Sequence, residues 1–193
     1  QGLAVTLNHF DTPALQAHNW WHVALLHLAN EDVESALRLY RQAVAVNDPN
    51  DVFQHVDAIS LLWRAELAGH RQDDGWKALA PHLVERALEQ CFPFLNAHYA
   101  YALTRAGRQD VVQESLARLR DYSFRQSGYS ARVFRDVGLP LVTGCAAFAA
   151  GEAARCTVLL EPIMPEVACV GGSDAQNDLF RQTYVVALLD AGR

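Results

Sequence analysis

Five helix-ending turns recur along the chain at nearly regular intervals. The turn residues follow one another at steps of 38, 38, 44 and 41 positions and are Glu31, Gly69, Gly107, Gly151 and Gly192. An apolar helical stretch precedes each turn, and a second amphipathic stretch follows each of the first four. A period of this length is typical of a helical solenoid. The spacing therefore predicts an all-α protein with an α-solenoid architecture.

The first repeat carries the small and large residues of the tetratricopeptide pattern, at Trp20, Ala24, Ala36, Tyr40 and Ala43. Small residues let paired helices approach closely, and aromatic rings fill the space between repeats. The pattern predicts a single domain over 1–193 with about four and a half repeats, at approximately 17–48, 51–90, 94–121, 131–164 and 174–193. The last helix lacks a partner, so we expect the chain to be part of a longer protein.

Helix and loop boundaries follow from the same apolar spacing. Helices are expected over 17–29, 32–46, 52–68, 75–89, 95–106, 110–120, 139–150, 152–163 and 175–190. Loops are expected at 70–74, 122–130 and 165–173. Ser173 or Asp174 is expected to cap the last helix. No segment alternates with period two over the length of a strand, so no sheet is predicted.

Charge and cysteine content argue against several kinds of partner. The net charge is −6, and Lys and Arg form no run or stripe, whereas nucleic acids and anionic membranes attract clustered positive charge. The longest uncharged stretch, 137–151, is too short to span a membrane. None of the four cysteines forms a C-x-x-C pair, so we expect reduced thiols and a cytoplasmic location.

The segment 18–22 is unusual because it places two histidines around two tryptophans. His18 and His22 are spaced i, i+4 and share one helix face, as a two-histidine metal site requires. No Glu follows His18, so the H-E-x-x-H motif of zinc proteases is absent. The alternative is a helix end packed by Trp20 and Trp21 with hydrogen-bonded histidines. That alternative is preferred, and no metal or cofactor is predicted.

A second polar group lies on the predicted helix 52–68. Asp57, Ser60 and Arg64 are spaced i, i+3 and i, i+4, so one stripe of the helix carries all three. Aligning the repeats places His22, Ser60 and His98 at equivalent positions and brings Asp57 within reach of His22. A carboxylate–imidazole pair would raise the histidine pKa and support acid–base chemistry. The same pair could equally satisfy two buried polar groups.

Two further polar segments have simpler interpretations. Arg135 and Asp136 precede a predicted helix, where they would provide its N-cap and a neutralising charge. Gly171 and Gly172 lead into the predicted cap of the last helix and form too short a loop to cradle a phosphate. No nucleophile elbow and no Cys–His nucleophile pattern is present in the sequence.

Taken together, these segments resemble the tetratricopeptide-repeat protein 38 family. The matching residues are His18, Asn19, Trp21, His22, Ala24, Leu25, Asp57, Ser60, Leu62, Arg64, Asn96, His98, Arg135 to Leu141, Gly171 to Ser173, Ala175, Gln176, Asp178 and Phe180. The resemblance implies a soluble helical-repeat fold with further repeats upstream and at least one more helix downstream. It implies no established reaction.

Tetratricopeptide packing does not require the polar residues that this resemblance contains. The candidate ligand-binding residues are therefore His18, Trp21, His22, Asp57, Arg64, His98, Arg135 and Gln176. Most lie on or before the first helix of a repeat, which in such solenoids lines the concave side, so we expect the functional surface there.

Two functions are compatible with this surface. The leading one is a scaffold that binds a peptide or protein in its groove, with Trp21, Trp63 and Tyr101 as apolar anchors. In that case Arg64 and His98 would be polar anchors. The alternative is a small-molecule site, which could be enzymatic. There His22 would act as acid or base, Asp57 would orient it, and Arg64 or Arg135 would hold an anionic group.

Overall fold

The computed structural model describes residues 13–193, and all regular elements in that range are helices. The predicted all-α class is therefore confirmed for this part of the chain. The chain divides into two compact units, Gln1–Gln72 and Asp73–Arg193. Within residues 13–193, no helix is both long enough and apolar enough to cross a membrane.

Residues 13–72 of the first unit form three helices. They are α1 (Pro13–Ala29), α2 (Val33–Leu39), which continues into a π-helical turn (Tyr40–Val44), and α3 (Val52–Leu67). Acidic N-caps start two of them, because the Asp32 side chain accepts from the Ser35 amide and Asp51 accepts from the Phe53 amide. Helix α1 packs against both α2 and α3. Ala24 and Ala36 are fully buried, as the repeat pattern predicts.

The second unit contains the remaining helices. They are α4 (Asp73–Leu83), a 3-10 turn (Arg86–Leu88), α5 (Pro93–Arg105), α6 (Gln109–Phe124), α7 (Gly128–Ala131), a π-helical segment (Arg132–Gly138), α8 (Leu139–Ala149), α9 (Ala153–Leu160), a 3-10 segment (Glu161–Val170) and α10 (Asp174–Asp190). Helix α5 packs against α4, α6 and α8, and α9 packs against α8 and α10.

The α8–α9 contact is close enough to require a glycine. A Cβ atom on Gly144 would lie 2.7 Å from Cδ2 of Leu160, whose side chain is fully buried. Two cysteines flank this contact, Cys145 on α8 and Cys156 on α9, and both are buried free thiols. Small side chains on α8 thus allow the two helices to approach closely.

Two predicted loops are wrong because they contain helical segments. Helix α6 extends to Phe124 and α7 begins at Gly128, so most of 122–130 is helical. The segment 165–170 continues a 3-10 helix from Glu161. Pro162 and Pro165 lack the amide hydrogen that an α-helix needs, which favours the tighter winding. The other helices lie where they were predicted, with three differences in their bounds. The first helix begins at Pro13 and not at residue 17, α4 spans Asp73–Leu83 and not 75–89, and α9 ends at Leu160 and not at residue 163.

All five predicted helix-ending turns are present with the same hydrogen-bond geometry. Each turn residue has a left-handed backbone, with φ of 59°, 90°, 76°, 82° and 73° at Glu31, Gly69, Gly107, Gly151 and Gly192. In each, the next amide donates to the carbonyl five residues back, as His70 does to Ala65 at 2.9 Å and Arg108 does to Leu103 at 2.8 Å. This is the Schellman motif, and it confirms the positions read from the sequence.

Glu31 is the only one of the five turn residues that carries a side chain, so the turn it forms is strained. A left-handed backbone costs a residue with a Cβ about 1–2 kcal/mol. We expect Glu31→Gly to raise the free energy of unfolding of the first unit by about 0.5–1 kcal/mol, measured by urea denaturation. The reciprocal change Gly69→Ala should lower it by about 1 kcal/mol. Equal stability of all three proteins would contradict the strain argument.

Candidate functional site

A buried carboxylate on α3 binds a histidine on α1. Nδ1 of His18 lies 3.1 Å from Oδ2 and 3.2 Å from Oδ1 of Asp57. The Asp57 side chain is only 2% exposed, whereas that of His18 is 33% exposed. Because a carboxylate only accepts, Nδ1–H of His18 is the donor. Asp57 therefore does not bind the other ring nitrogen of His18, Nε2.

The predicted partner of Asp57 was His22, and that pairing is wrong. Trp21 donates from Nε1 to the Ser60 hydroxyl at 2.7 Å, and this contact sets the register between α1 and α3. Both the Trp21–Ser60 and the His18–Asp57 contacts join residues 39 positions apart. The repeat alignment assumed 38 positions, which placed His22 opposite Ser60. At a separation of 39 positions Asp57 faces His18, whereas the predicted His22–Asp57 pair is separated by 35 positions, one helical turn less.

Trp21 is the centre of this cluster and lies in the core. Its ring stacks against His18, with centroids 5.3 Å apart and planes inclined by 15°. The Arg64 guanidinium lies over the same indole, 5.7 Å from its centroid. Trp21 is fully buried and Arg64 is 6% exposed. Trp21 therefore positions the two polar side chains, and it does not offer an exposed surface to a partner.

The other predicted anchors are buried as well. Trp63 and Tyr101 are inaccessible, so the expectation of three exposed aromatic anchors is wrong. His98 is also fully buried. Its Nδ1 lies 2.8 Å from the Phe94 carbonyl, and its ring packs between Phe94 and Phe180 at centroid distances of 4.5 and 5.6 Å. Apolar surroundings make these residues part of the core.

His22 occupies the exposed side of the cluster. Its ring meets that of His18 edge-on, with centroids 4.8 Å apart and planes inclined by 81°. It contacts Trp21 in a similar way, at 4.8 Å and 71°. Among residues 13–193 its imidazole nitrogens have no hydrogen-bond partner. His22 is therefore placed to meet solvent or a ligand.

The three titratable groups differ in pKa for physical reasons. The hydrogen bond to Asp57 raises the pKa of His18, although burial of the ring opposes this. Partial burial lowers the pKa of His22, and the nearby positive charge of His18 lowers it further. Burial raises the pKa of Asp57, and the bond to His18 partly offsets that effect. The hydrogen bond between His18 and Asp57 thus favours the protonated imidazole beside the carboxylate.

The candidate residues in the second unit have structural partners. Arg135 is exposed and pairs with the adjacent Asp136 at 2.8 Å. Both lie in the π-helical segment, and α8 starts after Gly138 without a side-chain cap, so the predicted cap is wrong. Gln176 forms a capping box with Ser173 at the start of α10. The predicted N-cap, Ser173, is confirmed. The Gln176 side chain accepts from the Ser173 amide in this capping box.

A groove that the sequence analysis did not predict lies beside α1 in the first unit. It has a volume of about 360 Å³ and is lined by Gln16, Ala17, Trp20, Leu39, Gln42, Ala43 and Asn47. We call it the amide groove. The repeat pattern identifies Trp20 as a packing residue, so it gave no indication that Trp20 also lines a groove. Three amide side chains around one indole are the signal in the sequence, but only the packing of α1 on α2 brings them together.

A second groove, of about 340 Å³, lies in the second unit between the π-helical and 3-10 segments. Its lining residues are Arg132, Asp136, Val137, Pro162, Ile163 and Glu166. Nε of Arg132 donates to Glu166 at 2.8 Å, so these two segments are joined by an ion pair. Each charged residue of this groove is therefore already paired, Arg132 with Glu166 and Asp136 with the neighbouring Arg135.

No protein-family model matches this chain, and no solved structure matches it significantly. Within residues 13–193, no group of three or more His, Cys, Asp or Glu side chains could hold a metal ion. The His18–Asp57 cluster and the amide groove are the two candidate sites of the first unit.

A titration followed by NMR tests the His18–Asp57 pair. Because Asp57 stabilises the protonated imidazole, His18 should titrate above the ordinary value of 6.5. Asp57→Asn removes the charge and leaves the partial burial, so the pKa of His18 should fall to or below that value. Asp32→Asn removes the carboxylate that contacts His27 and is the matched control. A His18 pKa that Asp57→Asn does not lower would contradict the assignment.

Proposed function

We propose that this chain is a tetratricopeptide-like scaffold, of the tetratricopeptide-repeat protein 38 type, that binds an extended segment of a partner polypeptide. Five Schellman turns at steps of 38 to 44 residues support a repeating helical design. The buried small residues Ala24 and Ala36 support the same design. Helical repeats stacked in this way commonly present extended binding surfaces.

The amide groove is the proposed docking position for the partner. Its lining contains three primary amides, one indole and small or apolar side chains, and no charged residue. A primary amide both donates and accepts hydrogen bonds, as a peptide main chain does. The partly buried Trp20 contributes a flat apolar face. This neutral lining is the observation that favours a peptide main chain over an ion.

The π-helical turn contributes to the shape of the groove. Gln42 and Ala43, both lining residues, lie within the turn Tyr40–Val44. A π-helical turn is wider than an α-helical one, and such turns occur often at functional sites. Asn47 follows the turn and completes that wall of the groove. The irregular end of α2 thus places two amide groups opposite Gln16 and Trp20 of α1.

The charge of the chain favours a protein partner over nucleic acid or membrane. The net charge is −6, and several exposed arginines pair with acidic neighbours, as Arg108 does with Asp110 and Arg118 with Glu114. These pairs reduce the positive charge that phosphate groups would need. The four cysteines are free thiols, which fits the proposed cytoplasmic location.

Fluorescence of Trp20 tests the peptide proposal, because the other three tryptophans are fully buried. A library of neutral peptides should yield ligands that change the Trp20 emission. Trp20→Ala and Gln42→Ala should each weaken binding of such a peptide by about 10-fold or more, measured by calorimetry. Phe53→Ala and Gln113→Ala, at exposed sites outside the groove, should leave binding unchanged. An equal loss of peptide affinity in all four variants, or tighter binding of free sugars than of peptides, would contradict the proposal.

The His18–Asp57 pair favours a second candidate function, a small-molecule site with acid–base chemistry. In this version His18 takes the role that the sequence assigned to His22, with Asp57 orienting it. An imidazole held by a carboxylate at Nδ1 can exchange a proton at Nε2. Arg64 is buried over Trp21, so its part is to support the cluster.

A screen of small metabolites by NMR distinguishes the two functions. A ligand of the acid–base site should shift the His18 ring signals, and His18→Ala or Asp57→Asn should abolish its binding while Trp20→Ala keeps it. A groove ligand should show the reverse dependence. If no metabolite shifts the His18 signals, the proposal of a small-molecule site at His18 and Asp57 is contradicted.

A further inference from the structure

The exposed side of the cluster presents imidazole nitrogens that lack a protein partner within residues 13–193. Nδ1 of His18 is bonded to Asp57, whereas Nε2 of His18 and both nitrogens of His22 have no hydrogen bond in that range. We propose that His18 and His22 bind a divalent transition-metal ion, with Asp57 holding His18 in the coordinating tautomer. This proposal is independent of the peptide-binding function.

The spacing and the ring geometry suit a shared ion. The two residues lie one turn apart on α1 and face the same side. Their ring centroids are 4.8 Å apart. Two imidazoles that bind one tetrahedral ion, at metal–nitrogen distances of about 2.0–2.1 Å, have centroids roughly 5 Å apart. His22 is exposed and His18 is partly exposed, so an ion can reach both from solvent.

The buried carboxylate of Asp57 gives the pair its strongest likeness to a metal site. Histidines that bind metals usually donate their other ring N–H to a carboxylate or carbonyl, which fixes the tautomer and makes the ligating nitrogen more basic. Asp57 accepts from Nδ1 of His18 with both oxygens. The lone pair of Nε2 is therefore the one available to an ion.

The donor set selects the class of ion. Imidazole nitrogen suits Zn²⁺, Co²⁺, Ni²⁺ and Cu²⁺, whereas Mg²⁺ and Ca²⁺ require oxygen ligands. Two protein ligands leave coordination positions for water, so the ion should exchange readily. The Asp57 carboxylate supplies a compensating negative charge nearby. The buried Arg64 guanidinium, which lies over the Trp21 ring, is the positive group of the cluster, and it limits the affinity.

A second histidine–aspartate pair, between His27 of α1 and the N-cap residue Asp32 of α2, provides an internal control. Nδ1 of His27 lies 3.1 Å from Oδ2 of Asp32, and both side chains are partly exposed. No second histidine lies one turn away, because Val23 and Glu31 occupy those positions. His27 and Asp32 thus reproduce the supporting contact without the second ligand.

Calorimetric titration of the metal-free full chain with Zn²⁺ tests the proposal. We expect one exchangeable site that Co²⁺ also fills and Mg²⁺ does not. His18→Ala and His22→Ala should abolish this site, and Asp57→Asn should weaken it by about 10- to 100-fold. His27→Ala and Asp32→Asn should bind Zn²⁺ as the natural chain does. His22 is exposed, so His22→Ala should leave the circular dichroism spectrum and the fold unchanged.

Three results would overturn the metal site. They are Zn²⁺ binding that survives in His22→Ala, equal binding of Mg²⁺, and no binding by the natural chain. NMR adds a readout that a purely structural role would not move, because Co²⁺ should broaden the ring signals of His18 and His22 before those of His27. Since no peptide is present in this titration, its outcome does not depend on the amide groove.

Discussion

The first unit depends on how one buried indole is held. Trp21 is fully enclosed, and it donates to Ser60 across the α1–α3 contact at 2.7 Å. A buried donor without an acceptor would cost about 1–3 kcal/mol, so this bond favours one register of the two helices. That register brings His18 to Asp57 and lays Arg64 over the indole. The polar cluster is thus a consequence of how the core packs.

Local signals in the sequence predicted the helices well, because the motifs that end helices are themselves local. A Schellman turn needs only a residue that tolerates a left-handed backbone and a following amide, so glycines at regular steps were enough to find it. The segments around Pro162 and Pro165 were harder. Proline there changes the type of helix without ending it, and sequence patterns read it as a loop.

The candidate site was predicted only in part. The sequence brought together the correct helices, α1 and α3, and the correct carboxylate, Asp57. It chose the wrong histidine because helix packing, and not the turn spacing, sets which residues face each other. It also treated Trp63 and His98 as accessible, although polar and aromatic side chains on a helix in the core are often buried with partners. The amide groove required the tertiary packing of α1 on the irregular end of α2.

The buried thiols of α8 and α9 allow opening of the second unit to be followed by cysteine modification. All four cysteines lie in the second unit, and burial raises the pKa of Cys145 and Cys156, so their reactive thiolate forms are scarce in the folded protein. An alkylating reagent would modify these two positions only when α8 and α9 separate. The rate at which they are modified therefore reports how often the second unit opens. Opening confined to the first unit does not change that rate.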